Sequence, residues 1–486
     1  MIKERSQYHF VYHSILTQIE QGELSPGDSL PTARQLCQQY SVGITTIRRV
    51  LRMLESDHAI SCVQGRPALV VGPPEGHTSH SDSRFWAERG ATLLDLCACV
   101  HHLYPGLVLE GAARWRMREG PVLALAKDSE RIVKPVSKVF WMRSVVDRLL
   151  ATLENPILDG LSVTLRHWAS LLSMALTDYS CPDADIDMLH SVFYAVGQCL
   201  DRGETTKAAQ LIKEFYRLNY DMLKGRLPRM TDGLTPEPGI AFTWSGNSGR
   251  LHLYMELALK LIDLMADGRI RDGDFLPPLA QLAEEHHVSE ITARKALAFL
   301  NELGIVHTIN GKGTQVTLAA CRQTAPPYGN PSVREGVMNH LYTLQILTLT
   351  CPDIFAQAVE ASPASARAVA AQLLKDRVFM ENDGRPVLWW FSFIERYTAS
   401  PSLRTIYKQL AYMLQWGRFL LFYRYNPGQM DSLQKLYQRV MLCIAAGNAQ
   451  DAGAAAAAYF RYVFESVRQS LPQEMSDSFP SLISQR

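Results

Sequence analysis

The chain has 486 residues, of which 47% are hydrophobic and 20% charged, and its formal net charge is +1. Because one domain usually takes about 100–200 residues, this length predicts three or four domains with enough apolar residues for their cores. A nearly neutral chain is not a generally basic nucleic-acid-binding protein, so any DNA contact must come from local basic faces.

Cysteine usage and the N-terminus indicate an intracellular protein. Cys97 and Cys99 are one residue apart, closer than the gap of a zinc knuckle, and no Cys/His cluster follows at ligand spacing. The nine cysteines are therefore interpreted as small buried side chains in a reducing compartment. Since the sequence shows neither a signal peptide nor an apolar run of about 20 residues, we expect a soluble cytoplasmic protein that does not enter a membrane.

The first 72 residues predict a helix-turn-helix followed by a β-hairpin wing. Predicted helices over residues 6–21 and 32–40 precede a third over about 43–56, and short strands at 59–63 and 67–71 enclose the hairpin tip. The third helix has an apolar stripe at i, i+3, i+4 and i+7, formed by Ile47, Val50, Leu51 and Leu54. This order of elements is how such proteins place one helix in the DNA major groove.

The polar face of this third helix carries candidate DNA contacts. Arginine binds guanine edges or phosphates, and threonine contacts bases and backbone. At the hairpin tip, glycine permits close approach to DNA and arginine reaches phosphate or the minor groove. The candidates are Thr45, Thr46, Arg48, Arg49, Arg52, Gly65 and Arg66.

The same motif recurs 246 residues later, where Asp274 corresponds to Asp28. In the second copy Ser289 is predicted to cap the recognition helix, with its apolar face formed by Ala293, Ala296, Leu297 and Leu300. Asn310 and Gly311 form a strong hairpin signal at the second wing. The candidate contacts of this copy are Ser289, Thr292, Arg294, Lys295, Gly311 and Lys312.

Helical patterns fill the remainder of the chain. The first helical region is predicted to contain helices at 93–102, 108–117, 136–152, 161–176, 185–200 and 205–224. A weaker copy follows at 333–471, because Asn155-Pro156 corresponds to Ser400-Pro401 and Gly203 to Gly447. Polar or Pro/Gly-containing linkers are predicted at 73–83, 231–249 and 319–332, and a frayed tail at 472–486.

The predicted fold class is therefore mainly α, with two winged helix-turn-helix domains, each with a small β wing, alternating with two all-α helical bundles. The predicted domain bounds are 1–72, 84–229, 250–318 and 333–472.

The run from Gly22 to Pro31, the Val42–Arg48 helix start and the glycine-tipped wing resemble the GntR family of bacterial transcription regulators. The resemblance covers residues 6–72 and 250–318. It implies a subunit with one winged domain followed by a C-terminal effector domain, and a protein that binds palindromic operators as a homodimer. This chain is similar to two such subunits fused into one. The family often has an arginine on the support helix, which adds Arg34 to the candidate DNA contacts.

The helical regions resemble the all-helical effector domains of fatty-acid-responsive and related branches. Many of those domains hold a metal with one Asp and three His. His101, His102, His167 and His190 have no counterparts at offsets near 246, so we predict no metal and no cofactor. Length and helical pattern exclude the large domain of the aminotransferase-like branch.

The two recognition helices differ at their first turn. The family often has an arginine there, whereas this chain has Ile44 in one copy and Glu290 in the other. A glutamate repels phosphate unless it accepts a hydrogen bond from a cytosine amino group. We expect the two half-sites to differ in sequence; a second copy that binds weakly or is mostly structural is the alternative.

These observations predict a transcription regulator that binds double-stranded operator DNA and is controlled by a small-molecule effector in one or both helical domains. The alternative keeps DNA binding but gives the helical domains only assembly or protein-partner roles. Either one chain occupies one operator, or a homodimer presents four winged domains. We predict no enzyme, since nucleophile-elbow, phosphate-loop, paired metal-ligand and pyridoxal-lysine motifs are missing from the sequence.

Aromatic and basic residues of the helical regions are assigned to core or surface rather than to an effector. They are Arg114, Trp115, Arg143, Arg166, Trp168, Trp389, Trp390 and Arg396.

Overall fold

The computed structural model describes residues 8, 11–12, 15–16, 18–19, 24–40, 42–63, 67–73, 83–126, 135–177, 183–234, 239–244, 253–321, 324–375, 385–423 and 427–477. The chain divides into two compact units, the first containing residues 1–248 and the second most of residues 249–483. Each unit contains a helix-turn-helix with a two-stranded wing and a set of long helices. The predicted fold class is confirmed.

The first winged motif is built on a small apolar core. Its described elements are α1 (Ala33–Tyr40), α2 (Ile44–Ser56), β1 (Ile60–Ser61) and β2 (Leu69–Val70). The two strands are antiparallel, with Ile60 opposite Val70. Three residues of the predicted stripe, Ile47, Val50 and Leu54, are fully buried, whereas Leu51 is only partly buried. The burial of this stripe fixes which face of α2 points to solvent.

A capping box begins α1. The Thr32 backbone N–H donates to Gln35 Oε1 at 2.8 Å, and the Gln35 N–H donates to Thr32 Oγ1 at 3.3 Å. These reciprocal bonds satisfy two backbone donors that a helix N-terminus leaves without partners. The sequence therefore fixes where the support helix begins.

The first helical bundle follows the first winged motif. Its elements are α3 (Ser83–Arg118), a 3-10 helix (Val122–Ala126), α4 (Pro135–Ala151), α5 (Pro156–Thr177), α6 (Asp183–Arg202) and α7 (Thr205–Met230). The prediction of two helices at 93–102 and 108–117 is wrong, because α3 continues through Pro105. Proline in a helix interior costs about 3 kcal/mol. Packing of the buried Leu103, Leu107 and Val108 on either side offsets this cost.

The apolar character of α3 also bears on the membrane prediction. Of the described helices, α3 alone is long and apolar enough by length and composition to cross a membrane, and 50% of its most apolar window is buried. A core helix of a soluble protein passes the same test. The expectation that the protein does not enter a membrane stays a prediction.

The predicted linker at 231–249 packs in part against α3. The Ile240 N–H donates to the Glu88 carbonyl at 3.0 Å, and Thr92 Oγ1 donates to the Ile240 carbonyl at 2.8 Å. Phe242 and Trp244 are buried. These aromatic side chains give the segment an apolar contact that its Gly, Pro and Ser content does not indicate.

The second winged motif repeats the first. It consists of α8 (Leu253–Ala266), α9 (Leu279–Glu285), α10 (Glu290–Glu302), β3 (Val306–Ile309) and β4 (Gly313–Val316). The inward positions predicted for α10, namely Ala293, Ala296, Leu297 and Leu300, are all buried. β3 and β4 pair antiparallel around the predicted Asn310-Gly311 turn.

The repeat extends to backbone hydrogen bonds. Gly27 and Gly273, 246 residues apart, have φ angles of 94° and 88°, which favour glycine. Each donates its N–H across to its own wing, to the carbonyl of Val70 or Val316, at 2.9 Å. The turn before the support helix is thus tied to the wing in the same way in both copies.

The second bundle contains α11 (Leu318–Cys321), α12 (Pro331–Ala361), α13 (Ala364–Lys375), α14 (Arg385–Tyr397), α15 (Pro401–Met413), α16 (Gln415–Leu421), α17 (Pro427–Ala446), α18 (Ala449–Gln469) and α19 (Gln473–Asp477). The predicted linker at 319–332 includes the end of α11 and a buried Tyr328. The predicted frayed tail begins instead with α19, which buries Met475, and residues 478–486 lie outside the described part.

A buried cluster of charges joins the second winged motif to its bundle. Arg418 of α16 is 6% exposed, and its Nε lies 2.9 Å from Asp263 Oδ1 of α8. A second Arg418 nitrogen pairs with Asp267, the residue that follows this helix. At the offset of 245 residues, the first copy has Ser173 at the position of Arg418, so this guanidinium is specific to the second copy.

Of the eight cysteines in the described residues, five are buried, while Cys37 and Cys443 are partly exposed and Cys62 is exposed. Burial raises the pKa of the Cys97 thiol to about 12. The interpretation of the cysteines as buried side chains is therefore wrong for Cys62, whose N–H donates to Glu55 Oε1 at the edge of the wing.

Substituting Gly111 with alanine is expected to lower the free energy of unfolding by about 1–3 kcal/mol. A Cβ at Gly111 would lie 2.3 Å from the Leu149 carbonyl oxygen, so α3 and α4 would have to separate. Gly225→Ala is the matched control, because nothing lies within 4 Å of a Cβ there; in a helix it should stabilise by about 0.5–1 kcal/mol. Thermal unfolding of the full chain measures both, and equal shifts would contradict the packing argument.

Candidate nucleic-acid interface

The solvent-facing side of α2 is cationic. Ile47, Val50 and Leu54 are buried, so the opposite face of this helix points outward. That face carries Arg48, Arg49 and, one turn later, Arg52. The candidates that are exposed on this helix are Thr45, Arg48, Arg49 and Arg52, and Thr46 is partly exposed. The helix therefore presents three guanidinium groups and two hydroxyls beside the wing.

Two of these arginines are oriented by neighbouring groups. The Arg49 guanidinium lies over the Tyr8 ring, 3.7 Å from its centroid, which is cation–π geometry. Arg52 Nε donates to the Arg48 carbonyl at 3.3 Å. Tyr8 is absent from the predicted contacts, although its recurrence as Tyr254, 246 residues later, is a signal for a role in the motif.

The remaining candidates of the first copy lie on other elements. Arg34 is exposed on α1, the support helix. Gly65 and Arg66 lie outside the described residues. The structure describes the two strands on either side of this tip, β1 and β2, which follow α2 in the chain.

The second recognition helix, α10, has a smaller cationic face. Arg294 and Lys295 are exposed, and Gly311 and Lys312 are exposed at the wing turn. Gly311 has a φ of 76°, a conformation that favours glycine. The cationic side chains on this helix thus number two, against three on α2.

Ser289 and Thr292 form the start of α10. Ser289 Oγ accepts the Thr292 N–H at 3.1 Å and lies 2.9 Å from Thr292 Oγ1. The predicted N-cap is confirmed. Part of the hydrogen-bonding capacity of both side chains is used within the helix, whereas the corresponding first-copy cap, Gly43, has no side chain.

Exposed apolar residues at the first turns distinguish the two helices. Ile44 is 41% exposed on α2, and Ile291 is 70% exposed on α10 next to the exposed Glu290. Apolar side chains in a major groove contact the thymine methyl group, and a glutamate accepts from the cytosine amino group. Ile291 was not among the predicted contacts; its position one residue after Glu290 is the signal that identifies it.

Ser289→Ala is expected to destabilise α10 by about 1 kcal/mol, because the Thr292 N–H loses its acceptor. Hydrogen exchange of the Thr292 amide should accelerate about fivefold, the equivalent of that free energy. Ser289→Thr, which retains a hydroxyl, is the control and should keep the protection. Unchanged exchange in the alanine variant would contradict the capping role.

A cavity of about 120 Å³ lies inside the first bundle, among α3, α4, α5, α6 and α7. Arg143, Arg166 and Trp168 contribute to its wall, together with Asp147. The assignment of these two arginines and this tryptophan to core or surface therefore missed a concave site. The sequence signal for this site is the pair of opposite charges four residues apart on α4, Arg143 and Asp147.

Within the described ranges, the structure holds no group of three or more His, Cys, Asp or Glu side chains placed to bind a metal ion. The side chain of His167 is outside the described set. The expectation of no metal site stays a prediction.

Comparison with known proteins identifies the winged motifs. A family model for bacterial regulatory proteins of the gntR family matches residues 7–70 and 253–316. The Uxu operon regulator of Haemophilus influenzae is 38% identical over 65 residues, which are 13% of this chain and 24% of that protein. The mannosyl-D-glycerate transport/metabolism system repressor MngR of Escherichia coli is 38% identical over 68 residues, covering 14% of this chain and 28% of the relative.

A fatty acid metabolism regulator protein of Erwinia tasmaniensis is 28% identical over 102 residues, which are 21% of this chain and 38% of that protein. The chain thus spans only about a quarter to two fifths of the length of these relatives. The two family-model matches coincide with the two winged motifs. This chain therefore carries the winged helix-turn-helix domain of the gntR family twice.

Proposed function

We propose that this protein is a transcription regulator whose two winged motifs both bind operator DNA. The observation that carries the proposal is the pair of exposed, cationic recognition helices, α2 with Arg48 and α10 with Arg294, each followed by a wing. The relatives named above are themselves regulators or repressors. On a chain of net charge +1, this local concentration of positive charge is what phosphate binding requires.

The chemistry of the two faces assigns roles to the candidates. Arg48 and Arg294 occupy equivalent positions and can each bind a guanine through two hydrogen bonds. Arg49, held over Tyr8, is placed to contact phosphate. Because Ile44 and Glu290 differ in chemistry, the two half-sites are proposed to differ in sequence.

Control by a small molecule belongs to the same proposal. The cavity of the first bundle is partly formed by α5, and α5 contacts the support helix α1 of the first winged motif. A ligand that displaces α5 would therefore move α1 and the attached recognition helix. The alternative, in which the bundles serve only assembly or bind a protein, predicts no ligand-dependent change in thermal stability.

The remaining assignments are also parts of this proposal. The chain is divided into domains at 1–72, 84–229, 250–318 and 333–472. It acts in the cytoplasm, without cofactor or enzymatic activity. One chain with two winged domains can occupy two half-sites, and a homodimer would present four; the molar mass of the DNA complex separates these models.

Fluorescence anisotropy tests the proposal. The full chain is titrated into labelled DNA from upstream of its own gene and into a random duplex of equal length, each at two salt concentrations. We expect tighter binding to the upstream DNA at both salt concentrations and weaker binding to both duplexes at higher salt. Equal affinity for the two duplexes would be followed by selection from genomic fragments, and no preference among those fragments would refute the regulator proposal.

A further inference from the structure

Ile291 is a large apolar side chain that remains in solvent on the second recognition helix, α10. It is 70% exposed, although five residues of the same helix are buried in the core of the winged motif. Apolar side chains stabilise a fold by leaving water, so the contribution of Ile291 to this fold is small. Single exposed apolar residues are common on protein surfaces. What distinguishes Ile291 is its position on the helix.

Ile291 lies at the centre of the exposed face of α10. An α-helix turns by about 100° per residue, which places Ile291 opposite the buried Leu300 and nearly opposite the buried Ala293. Arg294 and Lys295, one turn further along, are exposed on the two sides of this centre line. The isoleucine is therefore the side chain that points most directly into a major groove occupied by this helix.

The centre line continues as an apolar stripe. Ala298, two turns after Ile291, is exposed and lies on the same line of the helix. At the offset of 246 residues, the first recognition helix has Thr45 and Arg52 at these two positions, and both are exposed. The flanking positions are cationic in both helices. The two helices thus differ along the centre line, which is polar in the first copy and apolar in the second.

The first turn of α10 offers few hydrogen-bond donors to a base near Ile291. The hydroxyls of Ser289 and Thr292 lie 2.9 Å apart, so one of them donates to the other. The exposed carboxylate of Glu290 only accepts hydrogen bonds. In the major groove, thymine presents O4, which requires a donor, and a C5 methyl group, which requires an apolar contact. The surroundings of Ile291 favour the methyl group.

We propose that Ile291 determines the specificity of the second half-site by contacting the C5 methyl group of a thymine, at a position where the first winged motif has the hydroxyl side chain of Thr45. The inference rests on the proposed function, because it requires that α10 enter the major groove of the operator. It goes further by naming one base of the half-site and the group of that base that is recognised.

Replacement of thymine by deoxyuridine tests this contact, because it removes the methyl group and keeps the hydrogen-bonding groups of the base. The DNA is the duplex that the full chain selects from a random-sequence library, and the second half-site is the one lost with Arg294→Ala. Each thymine of that half-site is replaced in turn, and affinity is measured by fluorescence anisotropy. We expect one position at which uracil weakens binding about fourfold, the equivalent of about 0.8 kcal/mol for one buried hydrocarbon group.

Variants assign the methyl contact to this side chain. Ile291→Ser should bind the thymine and uracil duplexes equally, whereas Ile291→Val, which lacks one CH₂ group, should retain about a twofold preference for thymine. Val369→Ser, at an exposed apolar residue of the second bundle, is the matched control and should keep the fourfold ratio. Circular dichroism checks that each variant is folded. A folded Ile291→Ser chain that still prefers thymine fourfold would overturn the assignment.

The salt dependence separates this contact from those of the flanking cations. Phosphate contacts release counterions and weaken as the salt concentration rises, whereas an apolar contact releases none. The ratio of the thymine and uracil affinities should therefore be equal at two salt concentrations, although both affinities fall. A ratio that fell with rising salt would contradict an apolar contact.

The possible results distinguish this inference from the function on which it rests. A second half-site without thymine, or one that tolerates uracil at every position, would overturn the role of Ile291 and leave operator binding by both motifs in place. Failure of the full chain to enrich any sequence would refute the regulator proposal, and this inference with it.

Discussion

Arg48→Ala is expected to weaken operator binding by about 1–3 kcal/mol, or about five- to 150-fold, and Arg294→Ala to do the same. Arg48 and Arg294 are exposed at equivalent positions of the two recognition helices. A base-contacting arginine lost from either helix removes hydrogen bonds to one half-site. The measurement is fluorescence anisotropy on the upstream DNA at fixed salt, with the random duplex measured alongside.

The pattern of losses identifies the contribution of each copy. Arg217→Ala removes an exposed arginine from the first bundle and should leave affinity unchanged. Loss of specific binding in Arg48→Ala alone would mean that the second winged motif does not contact bases. Equal weakening on operator and random DNA would assign the arginine to phosphate rather than to a base.

Arg418→Ala is expected to lower the free energy of unfolding of the second unit by about 3–5 kcal/mol. The substitution would leave Asp263 of α8, and Asp267 directly after that helix, without the guanidinium that pairs with both. Burial already raises the pKa of Asp263 to about 6, with Arg418 opposing and Asp267 reinforcing that shift. Without Arg418 both carboxylates lose a cation that offsets their burial.

Differential scanning calorimetry measures this effect. At about 2–4 °C per kcal/mol for a unit of this size, the melting temperature should fall by roughly 6–20 °C. Lys435→Ala is the control, because its ion pair with Asp431, at 2.7 Å, is exposed and contributes about 0–1 kcal/mol. Similar small shifts in both variants would contradict a stabilising role for the buried cluster.

The winged motifs were predictable because their determinants are local. The stripe of Ile47, Val50 and Leu54 fixes the buried face of α2, and Ser289 specifies the start of α10. A single helix through Pro105 was not predictable from local rules, since packing with distant residues outweighs the cost of the proline.

Features that depend on residues distant in sequence could not be predicted. Arg418 and Asp263 lie 155 residues apart along the chain, and no spacing rule links them. The cavity likewise combines Arg143 and Arg166 from two helices with leucines from a third. Sequence patterning identifies which residues are apolar, but it does not show where packing leaves space between them.

Selection from a random-sequence DNA library is the most direct measurement of the central claim that both winged motifs bind DNA specifically. The full chain should enrich sequences with two non-identical half-sites, one lost with Arg48→Ala and the other with Arg294→Ala. Failure to enrich any sequence, or enrichment of one half-site that is insensitive to Arg294→Ala, would contradict binding by both motifs.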